Sequence, residues 1–133
     1  FSYLETNVKE NNSSVKPVMA DALEICETFA DGELDLIVSN PPYIKSADIE
    51  TLQKEVRLEP RLALDGGEDG YDFYREIVSR WSRKLKKGGA LAFELGENQA
   101  DAVKALMTDK GFSDFKISLD FGGVQRAIIG TLL

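Results

Sequence analysis

A short apolar run that ends at two consecutive prolines constrains the fold of this chain more than any other feature. Leu34 to Ser39 has the character of a buried strand, and Asn40-Pro41-Pro42-Tyr43 follows it directly. Proline lacks a backbone N–H, fixes its own φ and restricts the residue before it to extended conformations. Strand pairing must therefore stop here, and we expect Asn40 to lie at a rigid strand end. This proline corner (residues 40–43) combines an amide side chain, carbonyl groups and an aromatic ring, a set suited to gripping a planar NH2 group.

Strands and helices alternate along the rest of the chain. The predicted helices cover residues 1–12, 72–87 and 98–110, with a helical turn in 21–29 and a short helix around 47–56. The predicted strands cover residues 15–20, 34–39, 90–95, 115–121 and 126–133. Gly88-Gly89 and Gly111 are predicted to end the helices at 72–87 and 98–110.

This order of elements predicts an α/β fold with a mostly parallel sheet. The last two strands, 115–121 and 126–133, lie too close in sequence for a crossover helix, so they should form an antiparallel hairpin. Ligands of such sheets bind beyond the carboxyl ends of the strands, and Asn40 lies at such an end. With 133 residues and no evident linker, the chain should form one domain.

Composition and charge argue against several classes of function. The net charge is −7 without a strongly basic stripe, which counts against a nucleic acid as the direct partner. The lack of histidine and the single cysteine, Cys26, leave no plausible zinc site, histidine base or internal disulfide. One cysteine fits a reducing compartment, and no apolar run is long enough to cross a bilayer. We therefore expect a cytoplasmic protein without a membrane partner.

Several segments spread over the chain carry a resemblance to a known family. They are Asn40-Pro41-Pro42-Tyr43-Ile44, Glu59-Pro60-Arg61-Leu62-Ala63-Leu64, Gly67-Glu68-Asp69-Gly70, Phe73-Tyr74-Arg75, Leu85-Lys86-Lys87-Gly88-Gly89, Phe93-Glu94-Leu95-Gly96 with Gln99, and Gly123 with Arg126. Together they resemble the release-factor glutamine N5-methyltransferases, the HemK/PrmC family. The Asn-Pro-Pro-Tyr motif also marks adenine-N6 DNA methyltransferases, whereas the segment from Glu59 to Gly70 narrows the resemblance to glutamine modifiers.

The resemblance implies the class I S-adenosylmethionine-dependent methyltransferase fold, which is Rossmann-like, in an incomplete form. Family members carry a glycine-rich cofactor loop after the first strand and an acidic residue at the end of the second, and neither is found in this sequence. The family's N-terminal helical domain is not found either. Residues 1–133 are therefore expected to be the C-terminal part of the catalytic domain, inactive in isolation. The missing strands would leave a gap or an exposed edge in the sheet.

The resemblance also implies the site residues and the cofactor, S-adenosyl-L-methionine. The implied catalytic residues are Asn40, Pro41, Pro42 and Tyr43. The side-chain oxygen of Asn40 and the carbonyl of Pro41 would accept the two hydrogens of the acceptor NH2 group. Asp21, Ala22 and Asn40 are the implied cofactor contacts, because the loop at 21–22 lies beside the adenine in the family. Asp21 is equally well explained as a helix N-cap.

The implied activity is N5-methylation of a protein glutamine, and the expected acceptor and partner is the Gly-Gly-Gln loop of peptide-chain release factors. Three alternatives remain open. A ribosomal-protein glutamine is a second acceptor for the same chemistry. An adenine-N6 DNA methyltransferase is disfavoured by the acidic charge. A noncatalytic substrate-docking module is the alternative from a different class.

Overall fold

Four strands form one sheet in the computed structural model, which describes all residues from 1 to 133. They are β1 (Leu34–Ser39), β2 (Leu85–Glu94), β3 (Phe112–Leu119) and β4 (Gln125–Leu132). Their order across the sheet is β1-β2-β4-β3. β1 and β2 pair in parallel, while β4 runs antiparallel to both β2 and β3. Three strands therefore point one way and β4 points the other, which confirms the predicted single antiparallel strand and the closing hairpin.

The helices lie before β1, between β1 and β2, and between β2 and β3. They are α1 (Ser2–Glu10), α2 (Ala22–Ile25), α3 (Arg61–Leu64), α4 (Asp72–Trp81) and α5 (Ala100–Thr108), with 3-10 turns at Cys26–Thr28, Ile49–Thr51, Val56–Leu58 and Ser82–Lys84. The predicted helices at 1–12 and 98–110 and the turn in 21–29 are confirmed. The short helix predicted around 47–56 is wrong, because only the 3-10 turns at Ile49–Thr51 and Val56–Leu58 form there. Every helix is too short or too polar to span a bilayer.

The helix predicted over 72–87 ends early, at Trp81, and β2 already begins at Leu85. Leu85 is buried and pairs with Leu34 of β1, so tertiary burial takes it out of the helical pattern. The pairing then shifts, and Ala90 is the next residue of β2 in register with β1. Gly88 (φ +79°) lies inside this irregular stretch, so it shapes a bulged strand and does not stop a helix.

The strand predicted at 15–20 is also wrong, because this segment is irregular and no strand pairs with it. A strand needs a neighbour to satisfy its backbone groups, and Pro17 weakens pairing further. Val18 and Met19 are 61% and 78% exposed. β1 is therefore the edge of the sheet, and the expected exposed edge is present.

The core lies between the sheet and the helices α4 and α5. Its largest fully buried members are Tyr74, Phe93, Leu91, Leu95, Met107, Ile128, Val78 and Val103. Burying one such side chain contributes about 1.5–3 kcal/mol to folding. The ring of Tyr74 meets that of Phe93 edge-on, with centroids 5.2 Å apart. This packing aligns α4 with β2 and so fixes the end of the sheet where the proline corner lies.

Candidate active site at the proline corner

The proline corner follows β1. Residues 64–66 run alongside Ile44, the residue that follows the corner, and hold it by backbone hydrogen bonds. The N–H of Ile44 donates to the carbonyl of Leu64 at 3.0 Å, and the N–H of Gly66 donates to the carbonyl of Ile44 at 2.8 Å. These bonds form a parallel bridge between Ile44 and Asp65. The bridge brings the segment 59–64 against the corner, although the two lie some distance apart in sequence.

The Asp65 side chain strengthens this bridge. Its carboxylate accepts hydrogen bonds from the Ser46 hydroxyl (2.5 Å), the Gly67 N–H (3.1 Å) and the Arg61 guanidinium (3.0 Å). These bonds, the Ser46 bond most of all, hold the pKa of the Asp65 carboxyl below its usual range. Asp65 therefore connects the segment that leaves the corner, through Ser46, to the segment that returns past it, through Arg61 and Gly67.

Two adjoining cavities open at the corner. The larger, of about 760 Å³, is lined by Asp21, Ala22, Asn40, Pro42, Pro60 and Phe73 among others. The smaller, of about 330 Å³, is lined by Asn40, Pro41, Tyr43, Glu59 and Glu94 among others. Asn40, Glu59 and Ala63 line both. The structure thus brings together all six residues predicted for the site, and the two cavities meet at Asn40.

Each corner residue has a different environment. Asn40 is exposed to solvent, whereas Pro41 beside it is buried. Asn40 is therefore accessible to a ligand in either cavity, while the next residue is packed in the protein. Pro42 faces the larger cavity and Pro41 the smaller one. This arrangement can present oxygen acceptors to an NH2 group at the boundary between the cavities.

The ring of Tyr43 is held at its hydroxyl end by Glu94, the last residue of β2. The Tyr43 hydroxyl donates to the Glu94 carboxylate at 3.1 Å. Burial, and then this hydrogen bond and the charge of Glu94, raise the pKa of Tyr43 above its usual range. The charge of Glu59 acts in the same direction. Tyr43 is therefore a neutral ring beside two carboxylates.

Asp21 and Ala22 lie at the start of α2, on the wall of the larger cavity. The Asp21 carboxylate accepts from the Leu23 N–H at 2.7 Å, so Asp21 is a helix N-cap, as the alternative explanation had it. It nevertheless faces the cavity as well. The carbonyl of Ala22 accepts from the indole N–H of Trp81 at 2.9 Å, which anchors the loop to α4.

Several cavity residues were absent from the predicted site. Glu59, Pro60 and Phe73 line the larger cavity, and Glu94 lines the smaller one. All four belong to segments that carry the family resemblance, and this was the signal that could have identified them. Spacing alone could not, because each reaches the corner only through the fold.

Several solved structures with this architecture are methyltransferases. A methyltransferase from Pyrococcus furiosus is 20% identical and superposes with a TM-score of 0.63, covering 98% of this chain and 56% of that chain. Protein TTHA0409 from Thermus thermophilus, complexed with S-adenosyl-L-methionine, is 16% identical with a TM-score of 0.58, covering 86% and 51%. The release-factor-specific protein-(glutamine-N5) methyltransferase from Alicyclobacillus acidocaldarius is 28% identical with a TM-score of 0.50, covering 83% and 54%. The chain thus has the class I methyltransferase fold, in the incomplete form that its sequence predicted.

Curated relatives identify the family. The release factor glutamine methyltransferase of Geobacter sulfurreducens is 50% identical over 107 residues, which are 80% of this chain and 38% of that protein. The protein of the same name from Clostridium acetobutylicum is 38% identical over 127 residues, covering 95% and 42%. No protein-family model matches the chain. The chain spans about two fifths of the length of these curated relatives. It belongs to the release factor glutamine methyltransferase family, as its motifs predicted.

Proposed function

We propose that this chain forms the acceptor side of a protein-(glutamine-N5) methyltransferase that acts on the Gly-Gly-Gln loop of peptide-chain release factors. The observation that carries the proposal is the junction of two cavities at Asn40, one suited to a cofactor and one to an acceptor side chain. The names of the curated relatives support the acceptor. A release-factor substrate and a single reduced cysteine both agree with a cytoplasmic location.

The larger cavity offers groups that fit the adenine end of S-adenosyl-L-methionine. Pro60 and Phe73 supply apolar faces for a planar ring, and Asp21 supplies a carboxylate that can accept from an amino group. Only one Asp21 oxygen is engaged by the helix cap, at the Leu23 N–H. When bound, the cofactor supplies an electrophilic methyl group on a sulfonium. Asp21, Ala22 and Phe73 would hold its adenine end, and Asn40 lines the same cavity.

The proline corner would prepare the acceptor nitrogen. A glutamine amide is a poor nucleophile because its lone pair is delocalised into the carbonyl. The side-chain oxygen of Asn40 and the carbonyl of Pro41 would accept the two N–H hydrogens and aim the lone pair along the line of transfer. The attraction of these oxygens would strengthen as positive charge develops on the nitrogen. The Tyr43 ring would pack against the planar amide.

The charges around the smaller cavity favour a peptide over a nucleic acid. Glu59 and Glu94 both line it. The two arginines that flank Glu59 in sequence pair with other acids, Arg57 with Glu50 and Arg61 with Asp65. Glu59 therefore forms no ion pair, and a phosphate backbone would be repelled. A peptide amide, which presents N–H donors, is suited to this environment.

Replacement of Asn40 tests the proposal. In the full-length natural protein, Asn40→Ala should lower single-turnover methyl transfer from radiolabelled cofactor on the order of 10²–10³-fold, by analogy with the loss of one preorganised hydrogen-bonding group. Asn7→Ala, on the exposed face of α1, is the matched control and should leave the rate unchanged. Near-normal turnover by the Asn40 variant would refute the assigned role.

A panel of acceptors separates the alternatives. Release factor, the same factor with its loop glutamine replaced by alanine, ribosomal protein and DNA are incubated with the wild-type protein. We expect label only in the intact release factor. Label in the ribosomal protein alone or in DNA alone would move the assignment to the corresponding alternative. Absence of label from every acceptor, together with no heat of cofactor binding in calorimetry, would favour noncatalytic docking.

A further inference from the structure

Gln99 is a buried amide that joins three separate segments behind the proline corner. It lies just before α5 and is 7% exposed. Its Nε2 donates to the carbonyl of Tyr43 at 3.1 Å and to that of Gly70 at 3.4 Å. Its Oε1 accepts from the N–H of Gly96 at 2.9 Å. One side chain thus uses both ends of its amide to connect the corner, the loop before α4 and the end of β2.

The space around this amide is closed on two sides by glycines. A Cβ at Gly70 would lie 2.7 Å from the Tyr43 oxygen and 3.1 Å from Gln99 Nε2. A Cβ at Gly96 would lie 2.6 Å from Gln99 Oε1. Neither position can carry a side chain without moving the amide or the corner. Both glycines are therefore needed to leave room for the Gln99 amide.

Tyr43 is consequently fixed at two points. Its carbonyl is held by Gln99, and its hydroxyl is held by the Glu94 side chain. The carbonyl of Glu94 in turn accepts from the buried Tyr74 hydroxyl at 2.8 Å, and that hydroxyl lies 3.2 Å from Gln99 Oε1. All of these contacts converge on the end of β2, next to the corner.

We infer that Gln99 is a positioning residue: by holding the Tyr43 carbonyl, it sets the place at which Asn40 and Pro41 present their oxygens to the acceptor. This inference rests on the proposed function. Among the contacts that hold the corner, the bond to the Tyr43 carbonyl is donated by a side chain that is itself buried. Misplacement of catalytic groups by about 1 Å can slow a reaction on the order of 10²-fold.

The hydrogen bonds of the Gln99 side chain require an amide. A glutamate of the same length has no N–H donors, and its charge would face the carbonyls of Tyr43 and Gly70. A methionine fills the same volume but leaves both carbonyls without their donor. Both substitutions should release the corner while α5 and the core remain in place.

The test combines kinetics with a direct view of the corner. Gln99→Glu and Gln99→Met are compared with Ser82→Ala, which removes a hydrogen bond from an equally buried side chain at the far end of α4. In the full-length natural protein, both Gln99 variants should lower kcat for a glutamine acceptor on the order of 10²-fold, with KM for the cofactor little changed. In the NMR spectrum of the same full-length protein, the backbone amide signals of Asn40 and Tyr43 should move. Ser82→Ala should change neither quantity.

Each outcome decides the inference. Folded Gln99 variants with unmoved Asn40 and Tyr43 signals, or with moved signals and a normal kcat, would overturn it. Unfolding of Gln99→Met under conditions where Ser82→Ala folds would assign Gln99 a purely structural role and also overturn it. A wild-type protein that methylates no glutamine would refute the proposed function separately, and the NMR shifts alone would then support or overturn the positioning role.

Discussion

Tyr74→Phe isolates the contribution of one hydroxyl to the structure behind the site. Tyr74 is fully buried, and its ring packs edge-on against Phe93 at 5.2 Å, a contact that phenylalanine preserves. The substitution removes only the hydroxyl that donates to the carbonyl of Glu94 at 2.8 Å. Losing a buried hydrogen bond and leaving its acceptor unsatisfied should lower the free energy of unfolding by about 1–2 kcal/mol.

The lower free energy of unfolding can be measured by urea denaturation and by thermal denaturation. In urea, the midpoint should fall by roughly 0.5–1 M without a change in slope, since the surface exposed on unfolding is the same. The melting temperature should fall by roughly 3–8 °C for a domain of this size. Ser82→Ala serves as a comparison, because it also removes one buried side-chain hydroxyl, far from the corner.

The same variant has a signature at alkaline pH. Burial raises the pKa of Tyr74 above its ordinary value of 10.0. Above pH 10 the unfolded chain therefore releases the phenolic proton while the folded chain retains it, so wild-type stability falls as pH rises. This slope can reach about 1.4 kcal/mol per pH unit for one group. Tyr74→Phe should lose this part of the slope, and Tyr43, whose pKa is also raised, should retain its own.

Urea unfolding of both proteins at neutral pH and at several values between pH 9 and about 11, where free tyrosine titrates, measures both effects. An unfolding free energy for Tyr74→Phe equal to that of wild type at neutral pH would refute the role of the hydroxyl bond. Parallel alkaline slopes in the two proteins would refute the statement that burial keeps this hydroxyl protonated.

Three further predictions concern the site. Gly70→Ala should lower both the melting temperature and the rate of methyl transfer, because Gly70 has a φ of +84° and a Cβ there would lie 2.7 Å from the Tyr43 carbonyl oxygen. A variant that matches the wild type in both assays would contradict this. Because the pKa of Asp65 is lowered in the folded state, its contribution to stability should be lost as pH falls below its ordinary value of 3.8, and Asp65→Asn should unfold with a shallower acid dependence by circular dichroism. Glu59→Lys should increase the affinity for a short single-stranded oligonucleotide and slow transfer to a glutamine peptide, both in a salt-dependent manner; unchanged fluorescence-anisotropy titrations would argue against an electrostatic role.

The sequence predicted those elements whose pattern is self-contained. β1 has the expected bounds because a short apolar run ended by two prolines permits little else. Gly111 (φ +90°) lies just beyond α5, as expected for the residue that ends a helix. The prediction of a strand at 15–20 was wrong because a strand needs a neighbouring strand to pair with, and the local pattern of residues cannot show whether one is present. The placement of Leu85 in a helix was wrong for a related reason. Its apolar side chain fits the buried face of a helix as well as it fits β2, the strand that it joins.

The same distinction between local and remote contacts applies to the candidate site. The proline corner is contiguous, so its motif identified Asn40 and its neighbours. The contacts that hold it are remote in sequence, since Gln99 is 56 residues from Tyr43 and 25 from Tyr74. Their geometry depends on how α4 and β2 pack together, and no spacing rule encodes it.

NMR titration of the Asn40 side-chain amide with an acceptor peptide tests the central claim most directly. Gly-Gly-Gln and Gly-Gly-Glu peptides are added in turn to the isotopically labelled protein. The glutamine peptide alone should shift the Asn40 side-chain NH2 signals and the backbone amide of Tyr43, because only its side chain carries an NH2 group that can donate to the corner oxygens. Equal shifts with both peptides, or none with the glutamine peptide at saturating concentration, would contradict recognition of an amide at the proline corner.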